Sequence, residues 1–276
     1  MHAITRLCSA IAVLLLLTYA AAIAQQGSTQ HAKVELIARQ VAVSPGKHLL
    51  LGIHFVLEKG WHIYWINPGD SGQPPSFKWQ LPSGFSAGEI QWPRPERLQP
   101  SKELVDYGYD GEVLLPLTIH VPSAISDRSA EFGADAKWLI CREVCLPDHA
   151  HLTLSPAAAS AGNRTRVAQL FTRTKALLPR TWPATWKVNA ESRKDDFVLI
   201  IITGHPLTQA EFFPLETGLI DNAAKQRLST TSTGAKLMLQ KSDLLLKPVP
   251  ELRGVLVINH RAYHLLAPVI AQVALK

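Results

Sequence analysis

The residues in this sequence best suited to chemistry are two cysteines separated by three residues, Cys141 and Cys145. The third cysteine of the sequence, Cys8, lies near the N-terminus in a segment that we expect to be removed. Two thiols so close together either close a small structural loop or exchange electrons with other thiols and disulfides. Which of these applies depends on how the chain folds between them.

The segment between the cysteines must bend if its flanks are extended. Residues i and i+4 of a strand lie about 13 Å apart, whereas a disulfide requires Cα atoms within about 7 Å. We therefore expect Arg142, Glu143 and Val144 to form a three-residue loop between two strands, with the cysteines facing each other at its base. A helical turn is the alternative, and Pro147 and the strand-like flanks disfavour it.

The ring that this disulfide would close is very small, which favours a redox role. Ring closure stabilises a protein more when the loop is long, so a large β-protein would gain little from such a link. Exposed or strained disulfides in short loops are typically the labile ones. Arg142 and Lys137 are the nearest positive charges, Glu143 opposes them, and no helix N-terminus is evident. We therefore expect a redox-active pair with fairly ordinary thiols.

The same segment also permits a metal-binding interpretation. Cys141, Cys145, His149 and His151 form a C-x3-C-x3-H-x-H pattern, and Cys and His are ligands that suit zinc or copper. The spacing differs from that of common zinc sites, and the two histidines fall on a predicted strand. A non-catalytic β-sandwich that docks a partner or binds copper or zinc is therefore the alternative function.

The N-terminus is typical of a cleavable export signal. Arg6 precedes an apolar stretch at 11–24, and Ala22-Ile23-Ala24 offers a small-x-small cleavage site before Gln25. No later segment reaches the roughly 18 consecutive apolar residues of a membrane-spanning helix. We expect residues 1–24 to be a signal peptide and the mature protein to be exported and not membrane-spanning.

The charge of the chain excludes nucleic acid as a partner. The sequence has 28 Lys and Arg against 22 Asp and Glu, a net charge of +6, and the basic residues are scattered without a run of five. Such a distribution favours solubility and weak steering. The sequence also lacks a Gly-x-Ser-x-Gly motif, a phosphate-binding loop and a His-Glu-x-x-His motif, which leaves the cysteines as the candidate catalytic residues.

Short apolar runs separated by Pro and Gly clusters dominate the rest of the sequence and predict an all-β protein. Residues 30–156 have the pattern of a β-sandwich. Residues 157–184 form a linker with one helix, which Asn163 would cap and Pro179 would end, packed on a sheet. Residues 185–276 are again strand-like and contain no cysteine or acid/base cluster, which is typical of a structural or docking domain.

Four motifs occur in order between residues 40 and 155. They are GWHIYWINPGDSG at 60–72, QWP at 91–93, YGYDGE at 107–112 and WLICREVCLP at 138–147. Together they resemble the N-terminal periplasmic domain of the thiol:disulfide interchange protein DsbD, in the branch related to the copper-sensitivity suppressor ScsB. The second body resembles the β-domain that follows in that branch, through FFP at 212–214, GLID at 218–221 and LRGVL at 252–256.

The resemblance implies an immunoglobulin-like sandwich with a redox cysteine pair, followed by a second, smaller β-sandwich domain, and no cofactor. In that family, a membrane domain and a thioredoxin-like domain deliver electrons to the N-terminal domain, which reduces exported disulfide proteins. Carried over to this sequence, Cys145 would form mixed disulfides with partners and Cys141 would resolve them. The mobile cap loop of the family corresponds to residues 101–109, with Tyr107 and Tyr109 as candidate shielding residues.

Two features depart from the family. The best-known members space their cysteines more widely, and this sequence ends at Lys276 without the membrane and thioredoxin-like domains. We therefore expect a periplasmic component of a protein-disulfide reductase system. Its partners would be a separate electron donor, membrane-embedded or thioredoxin-like, and exported client proteins that contain disulfides.

Overall fold

The structure is a computed structural model of the whole chain. It describes residues 27–28, 31–40, 42–101, 103–125, 131–155 and 164–271. The expected signal peptide at 1–24 and the expected helix cap Asn163 lie outside the described residues. None of the helices in the described part of the chain is long and apolar enough to cross a membrane.

The first body is a β-sandwich. Its strands are β1 (Gly27–Ser28), β2 (Ala32–Ala38), β3 (His48–Leu57), β4 (His62–Gly69), β5 (Ser76–Gln80), β6 (Ser86–Ala87), β7 (Glu96–Leu98), β8 (Asp106–Asp110), β9 (Glu112–His120), β10 (Phe132–Cys141) and β11 (Cys145–Leu154). Within the described residues, one sheet has the order β1-β2-β3-β9-β6 and the other the order β11-β10-β4-β8-β7, with β5 paired to β10. The strands pair antiparallel, and β11 lies at a sheet edge.

The core of this body lies between the two sheets and follows from strand alternation. In β2, Ala32, Val34 and Leu36 are buried, whereas Lys33 and Glu35, which alternate with them, are exposed and half-buried. Phe55 of β3 meets Trp138 of β10 edge to face, with ring centroids 5.4 Å apart. Such aromatic contacts across the sandwich fix the position of β10, the strand that ends at the first cysteine.

A helix covers the outer face of the first sheet. This helix, α1 (Arg164–Leu177), buries Leu170 and Phe171 against Ile37 of β2 and Leu114 of β9. The sequence predicted one helix packed on a sheet in this part of the chain, and the structure confirms both the helix and its packing.

The second body is a seven-stranded, mostly antiparallel sheet with an apolar core of its own. Its strands are β12 (Lys187–Ser192), β13 (Asp196–Ile202), β14 (Ala210–Pro214), β15 (Arg227–Thr231), β16 (Gly234–Gln240), β17 (Glu251–Ile258) and β18 (Arg261–Ala271). In the described part of the chain, their order is β14-β17-β18-β12-β13-β16-β15, and β18 joins the two halves of the sheet. The all-β class is confirmed, and the part of the chain after residue 185 that was predicted to be strand-like forms these strands. The domain limits themselves remain a prediction.

The two bodies share an apolar junction beside β4. Phe213 of β14 belongs to the core of the first body and packs edge to face on Trp65 and Tyr107, at 6.4 and 5.2 Å between ring centroids. The amide of Asn67 donates a 2.8 Å hydrogen bond to the carbonyl of Pro214. The segment that follows β14 therefore lies against the end of β4.

Candidate redox site

The two cysteines lie at the tip of the β10–β11 hairpin. β10 ends at Cys141, β11 begins at Cys145, and the two residues face each other in the ladder with Cα atoms 4.2 Å apart. Their sulfur atoms are joined in a disulfide, and the Arg142 N–H donates to the Val144 carbonyl within the loop. The predicted three-residue loop with the cysteines at its base is confirmed.

The two sulfur-bearing residues differ sharply in exposure. Cys141 is 2% exposed, whereas Cys145 is an exposed residue next to Val144, which is 61% exposed. An incoming thiol can therefore approach the disulfide from the side of Cys145, while Cys141 faces the protein interior. The rate of thiol–disulfide exchange depends on which sulfur an incoming thiol can reach. The difference in exposure therefore favours attack at Cys145 over attack at Cys141.

A buried tyrosine contacts the accessible sulfur. The hydroxyl of Tyr64, on β4, lies 3.4 Å from the Cys145 Sγ and 3.4 Å from the Ser71 Oγ. Burial raises the pKa of Tyr64, with the Ser71 hydroxyl lowering it and the charge of Asp106 raising it. The hydroxyl therefore keeps its proton at neutral pH and can donate a hydrogen bond to the sulfur.

A serine and a buried aspartate continue this polar line away from the disulfide. Asp106 is fully buried and accepts hydrogen bonds from the Ser71 N–H at 3.0 Å and from the Ser71 Oγ at 2.9 Å. The Nε2 atom of His62 lies 3.7 Å from the Asp106 carboxylate, and His62 pairs with Cys141 across the sheet. Because the Ser71 hydroxyl hydrogen goes to Asp106, the Ser71 oxygen can only accept from Tyr64, and the Tyr64 hydroxyl hydrogen has two acceptors at 3.4 Å, the Ser71 Oγ and the Cys145 Sγ.

The hairpin loop is braced from one side by the turn between β3 and β4. The guanidinium of Arg142 lies 5.3 Å from the ring centroid of Trp61, and Trp61 stacks on His31 at 3.8 Å. The His31 Nδ1 is 2.9 Å from the Glu58 carboxylate. Gly60 has a φ of +84°, and a Cβ there would lie 3.3 Å from Arg142. The Gly-Trp pair that opens the first sequence motif thus forms the support for the disulfide loop.

Sequence comparison places this site in a known family domain. Residues 32–157 match the family model "Thiol:disulfide interchange protein DsbD, N-terminal". The resemblance predicted from the four motifs is confirmed. The residues matched by the DsbD model include the disulfide hairpin, Tyr64, Ser71 and Asp106, and they end before the second body.

Structure comparison extends the similarity beyond the DsbD match. The N-terminal periplasmic domain of ScsB from Proteus mirabilis superposes with a TM-score of 0.68 at 18% identity, covering 88% of this chain and 96% of that chain. Both bodies therefore have the fold of that protein. Spo0M, a sporulation control protein from Bacillus subtilis, covers 84% of this chain and 80% of its own at 13% identity, with a TM-score of only 0.23. A search of curated proteins gave no significant match.

The two tyrosines expected to shield the site in this DsbD-type domain lie elsewhere. Tyr107 is fully buried on β8, and its hydroxyl donates to the Asn222 Oδ1 at 2.8 Å. The hydroxyl of Tyr109 donates to the Pro93 carbonyl at 2.8 Å. Residues 106–109, which we expected in a cap loop, are a strand because β8 pairs with β4 and β7. Shielding by Tyr107 and Tyr109 stays a prediction that these contacts do not support.

The aromatic group that the structure brings to the disulfide is Tyr64, which sequence reasoning did not select. The residue lies in the first DsbD-like motif, 81 positions before Cys145, so its proximity arises only from the pairing of the second sheet. One signal was present in the sequence: Gly72 closes the same motif. A Cβ at Gly72 would lie 2.0 Å from the Tyr64 ring, so this glycine indicates a backbone packed directly on an aromatic ring.

The four residues of the metal-binding alternative do not converge. His149 and His151 follow Cys145 along one face of β11, and residues four apart on a strand are separated by about 13 Å. His151 instead contacts Asp135 at 2.7 Å, and this hydrogen bond lowers the pKa of Asp135. Among the described residues, no group of three or more His, Cys, Asp and Glu side chains is placed to hold a metal ion.

Proposed function

We propose that this protein is a periplasmic thiol–disulfide exchange protein that passes reducing equivalents through Cys141 and Cys145 to exported disulfide proteins. The observation that carries the proposal is a disulfide at a hairpin tip with one exposed and one buried cysteine. The DsbD family match and the periplasmic ScsB domain of the same fold support it. In this proposal, residues 1–24 direct export, residues 30–156 form the redox domain, residues 157–184 the linker, and residues 185–276 the second domain.

The first half of the cycle loads the protein with electrons. A thiolate of a donor dithiol attacks the exposed Cys145 Sγ, the Cys141–Cys145 bond breaks, and the Cys141 sulfur leaves as a thiolate that takes up a proton. The second thiol of the donor then attacks the donor sulfur that is bonded to Cys145 in the mixed disulfide, and Cys145 is released. The donor ends as a disulfide and this protein as a dithiol, which accounts for two electrons and two protons.

The second half transfers these electrons to a client. The Cys145 thiolate attacks one sulfur of the client disulfide and forms a mixed disulfide, while the other client sulfur leaves as a thiolate. The Cys141 thiolate, held 4.2 Å away across the hairpin at Cα, attacks the Cys145 sulfur and restores the internal disulfide. The client leaves as a dithiol, so no cofactor takes part in the step.

Tyr64 supplies a hydrogen-bond donor at the sulfur that changes charge. The O–H···S distance of 3.4 Å is normal for a sulfur acceptor, whereas the same distance to the Ser71 oxygen is long for two oxygens. The hydroxyl hydrogen therefore favours the sulfur, most of all when the sulfur is a thiolate. Hydrogen bonds to a charged acceptor are the stronger kind, so Tyr64 stabilises the reactive form of Cys145.

Serine substitutions test the proposal directly. Cys145→Ser should abolish disulfide exchange with a reduced thioredoxin-like donor, because the accessible nucleophile is gone. Cys141→Ser should retain the attack but accumulate mixed disulfides, which non-reducing gel electrophoresis and mass spectrometry detect. Retained exchange in both variants would refute the proposal, as would mixed disulfides that form through Cys141 alone.

A further inference from the structure

The turn at residues 69–72 lies directly on the Tyr64 side chain. Ser71 contacts the Tyr64 hydroxyl, and a Cβ at Gly72 would overlap the Tyr64 ring at 2.0 Å. Gly69 and Gly72 have φ angles of +87° and +75°, a backbone conformation that glycine adopts without strain. The turn thus determines where the Tyr64 hydroxyl lies relative to the sulfur of Cys145.

The opposite side of this turn is bonded to the second body. The side-chain amide of Asn222 donates a 2.8 Å hydrogen bond to the Asp70 Oδ1, and its carbonyl oxygen accepts one from Tyr107 at 2.8 Å. Just before the turn, Asn67 donates to the carbonyls of Pro214 and Glu216 at 2.8 and 3.2 Å. The second body therefore holds the turn both at its entry and at its middle.

The loop that presents Asn222 is itself well anchored. The Asp221 side chain accepts hydrogen bonds from the N–H groups of Ala223 and Ala224, at 3.0 and 3.1 Å, which fixes the local turn. The Asp221 N–H donates to the carbonyl of Gln240 at 3.0 Å. Asn222 is 5% exposed, whereas Asp70 is exposed and its carboxylate is held by Asn222 on one oxygen and by the Val105 N–H, at 2.8 Å, on the other.

We infer that the second body positions the redox site, and that Asn222 is its positioning residue. A continuous line of contacts runs from Asn222 through Asp70 and Ser71 to Tyr64 and Cys145. The inference rests on the proposed function, because it assigns the second body a part in cysteine chemistry. The second body carries no cysteine, and in this proposal its role is to hold the turn that places Tyr64 beside the disulfide.

The contact can be broken from either side. In Asn222→Ala the amide that donates to Asp70 is lost. In Asp70→Ala the acceptor is lost, together with the 2.8 Å hydrogen bond that Asp70 accepts from the Val105 N–H, so Asn222→Ala is the more selective of the two variants. The measurement is the second-order rate constant for reaction of the reduced full-length mature protein with oxidised glutathione at pH 7. We expect both variants to react about twofold to fivefold more slowly, because a weakened Tyr64 hydrogen bond lowers the thiolate fraction of Cys145 while the remaining thiolate is somewhat more nucleophilic.

A matched control and a double-mutant cycle identify the route. Glu211→Gln removes the ion pair of Glu211 with Arg97, at 3.6 Å, which also joins the two bodies. Arg97 in addition donates to the backbone carbonyl of Asn222, and the variant retains Arg97, this carbonyl and the Asn222 side chain that holds Asp70. This variant should react at the unaltered rate. In a Tyr64→Phe background, Asn222→Ala should have no additional effect, because both changes act on the same hydrogen bond.

Three results would overturn the inference: an unaltered rate in both Asn222→Ala and Asp70→Ala, an equal slowing in Glu211→Gln, or additive effects of Asn222→Ala and Tyr64→Phe. A small-molecule disulfide reports the reactivity of Cys145 without a protein client. The positioning role can therefore fail while the Cys141→Ser and Cys145→Ser variants still support exchange with proteins, and the reverse outcome is equally visible.

Discussion

The Tyr64 hydroxyl lies 3.4 Å from the Sγ of Cys145, the exposed cysteine of the disulfide. Cys145 is thus bordered both by solvent and by the tyrosine. The Tyr64 hydroxyl is available to the charge that the sulfur acquires when the disulfide is reduced.

Tyr64→Phe removes the hydroxyl and keeps the ring that packs under Gly72. We expect the reduced variant to react with oxidised glutathione about twofold to fivefold more slowly at pH 7, since the thiolate loses a donor. Loss of the buried hydroxyl should lower the free energy of unfolding by about 1 kcal/mol. Stopped-flow kinetics and urea denaturation provide the two measurements.

Tyr109→Phe is the matched control for this change. Its hydroxyl is also buried, but it donates to the Pro93 carbonyl at 2.8 Å and away from the cysteines. This variant should lose a similar amount of stability and keep the full exchange rate. Equal slowing in both variants would show that general destabilisation, not the contact with Cys145, sets the rate.

Gly72→Ala tests how tightly the turn packs on the Tyr64 ring. The added Cβ would lie 2.0 Å from the ring, and the alanine would have to adopt a φ of +75°. We therefore expect the free energy of unfolding to fall by about 2–4 kcal/mol. Gly111→Ala is the control, because Gly111 also has a positive φ, +61°, but a Cβ there meets nothing within 4 Å. The control should lose only about 1 kcal/mol. Equal losses would contradict the close packing of Gly72 on Tyr64.

The parts of the fold that the sequence could predict depend on local rules. The β10–β11 hairpin followed from two distances, the span of five extended residues and the reach of a disulfide, so Cys141 and Cys145 could be placed opposite each other without further information. Helix α1 followed from apolar residues that recur every three or four positions, at Val167, Leu170, Phe171, Leu177 and Leu178. In both cases the determining residues are near neighbours in sequence.

The parts that could not be predicted depend on contacts between distant residues. Tyr64 and Cys145 are 81 positions apart, and Asn222 and Asp70 are 152 positions apart. Such pairs arise from the order of strands in the sheet and from the docking of one body on the other, which residue types do not encode locally. Tyr107 shows the consequence: its position in a family-like motif suggested a shield, whereas its hydroxyl is committed to Asn222 in the second body.

Metal removal gives a prediction that separates the exchange function from the binding alternative. Since His149 and His151 are spread along β11 and the cysteines form a disulfide, we expect treatment with a chelator to leave the exchange rate unchanged. Substituting both histidines with alanine should do the same. Elemental analysis of the purified protein is the independent measurement, and one equivalent of zinc or copper bound through the cysteines would contradict the exchange proposal.

The interface between the bodies should carry a characteristic pH dependence through Glu211. Burial raises the pKa of Glu211 above its ordinary value of 4.5, and the nearby Arg97 and Arg94 oppose this shift. A carboxyl with a raised pKa binds its proton more tightly in the folded state, so its contribution to stability is greatest below pH 4.5 and declines as the pH rises through the folded-state pKa. Glu211→Gln cannot ionise and lacks this decline.

The difference in unfolding free energy between the wild-type protein and Glu211→Gln should therefore fall as the pH is raised from about 4 toward 7. Urea denaturation at several pH values measures this difference. Because the side chain is partly exposed and Arg97 lies 3.6 Å away, the change should be small and should shrink further in high salt. A difference that instead rises with pH would mean that the ion pair with Arg97 outweighs burial, and that the charged form of Glu211 stabilises the contact between the bodies.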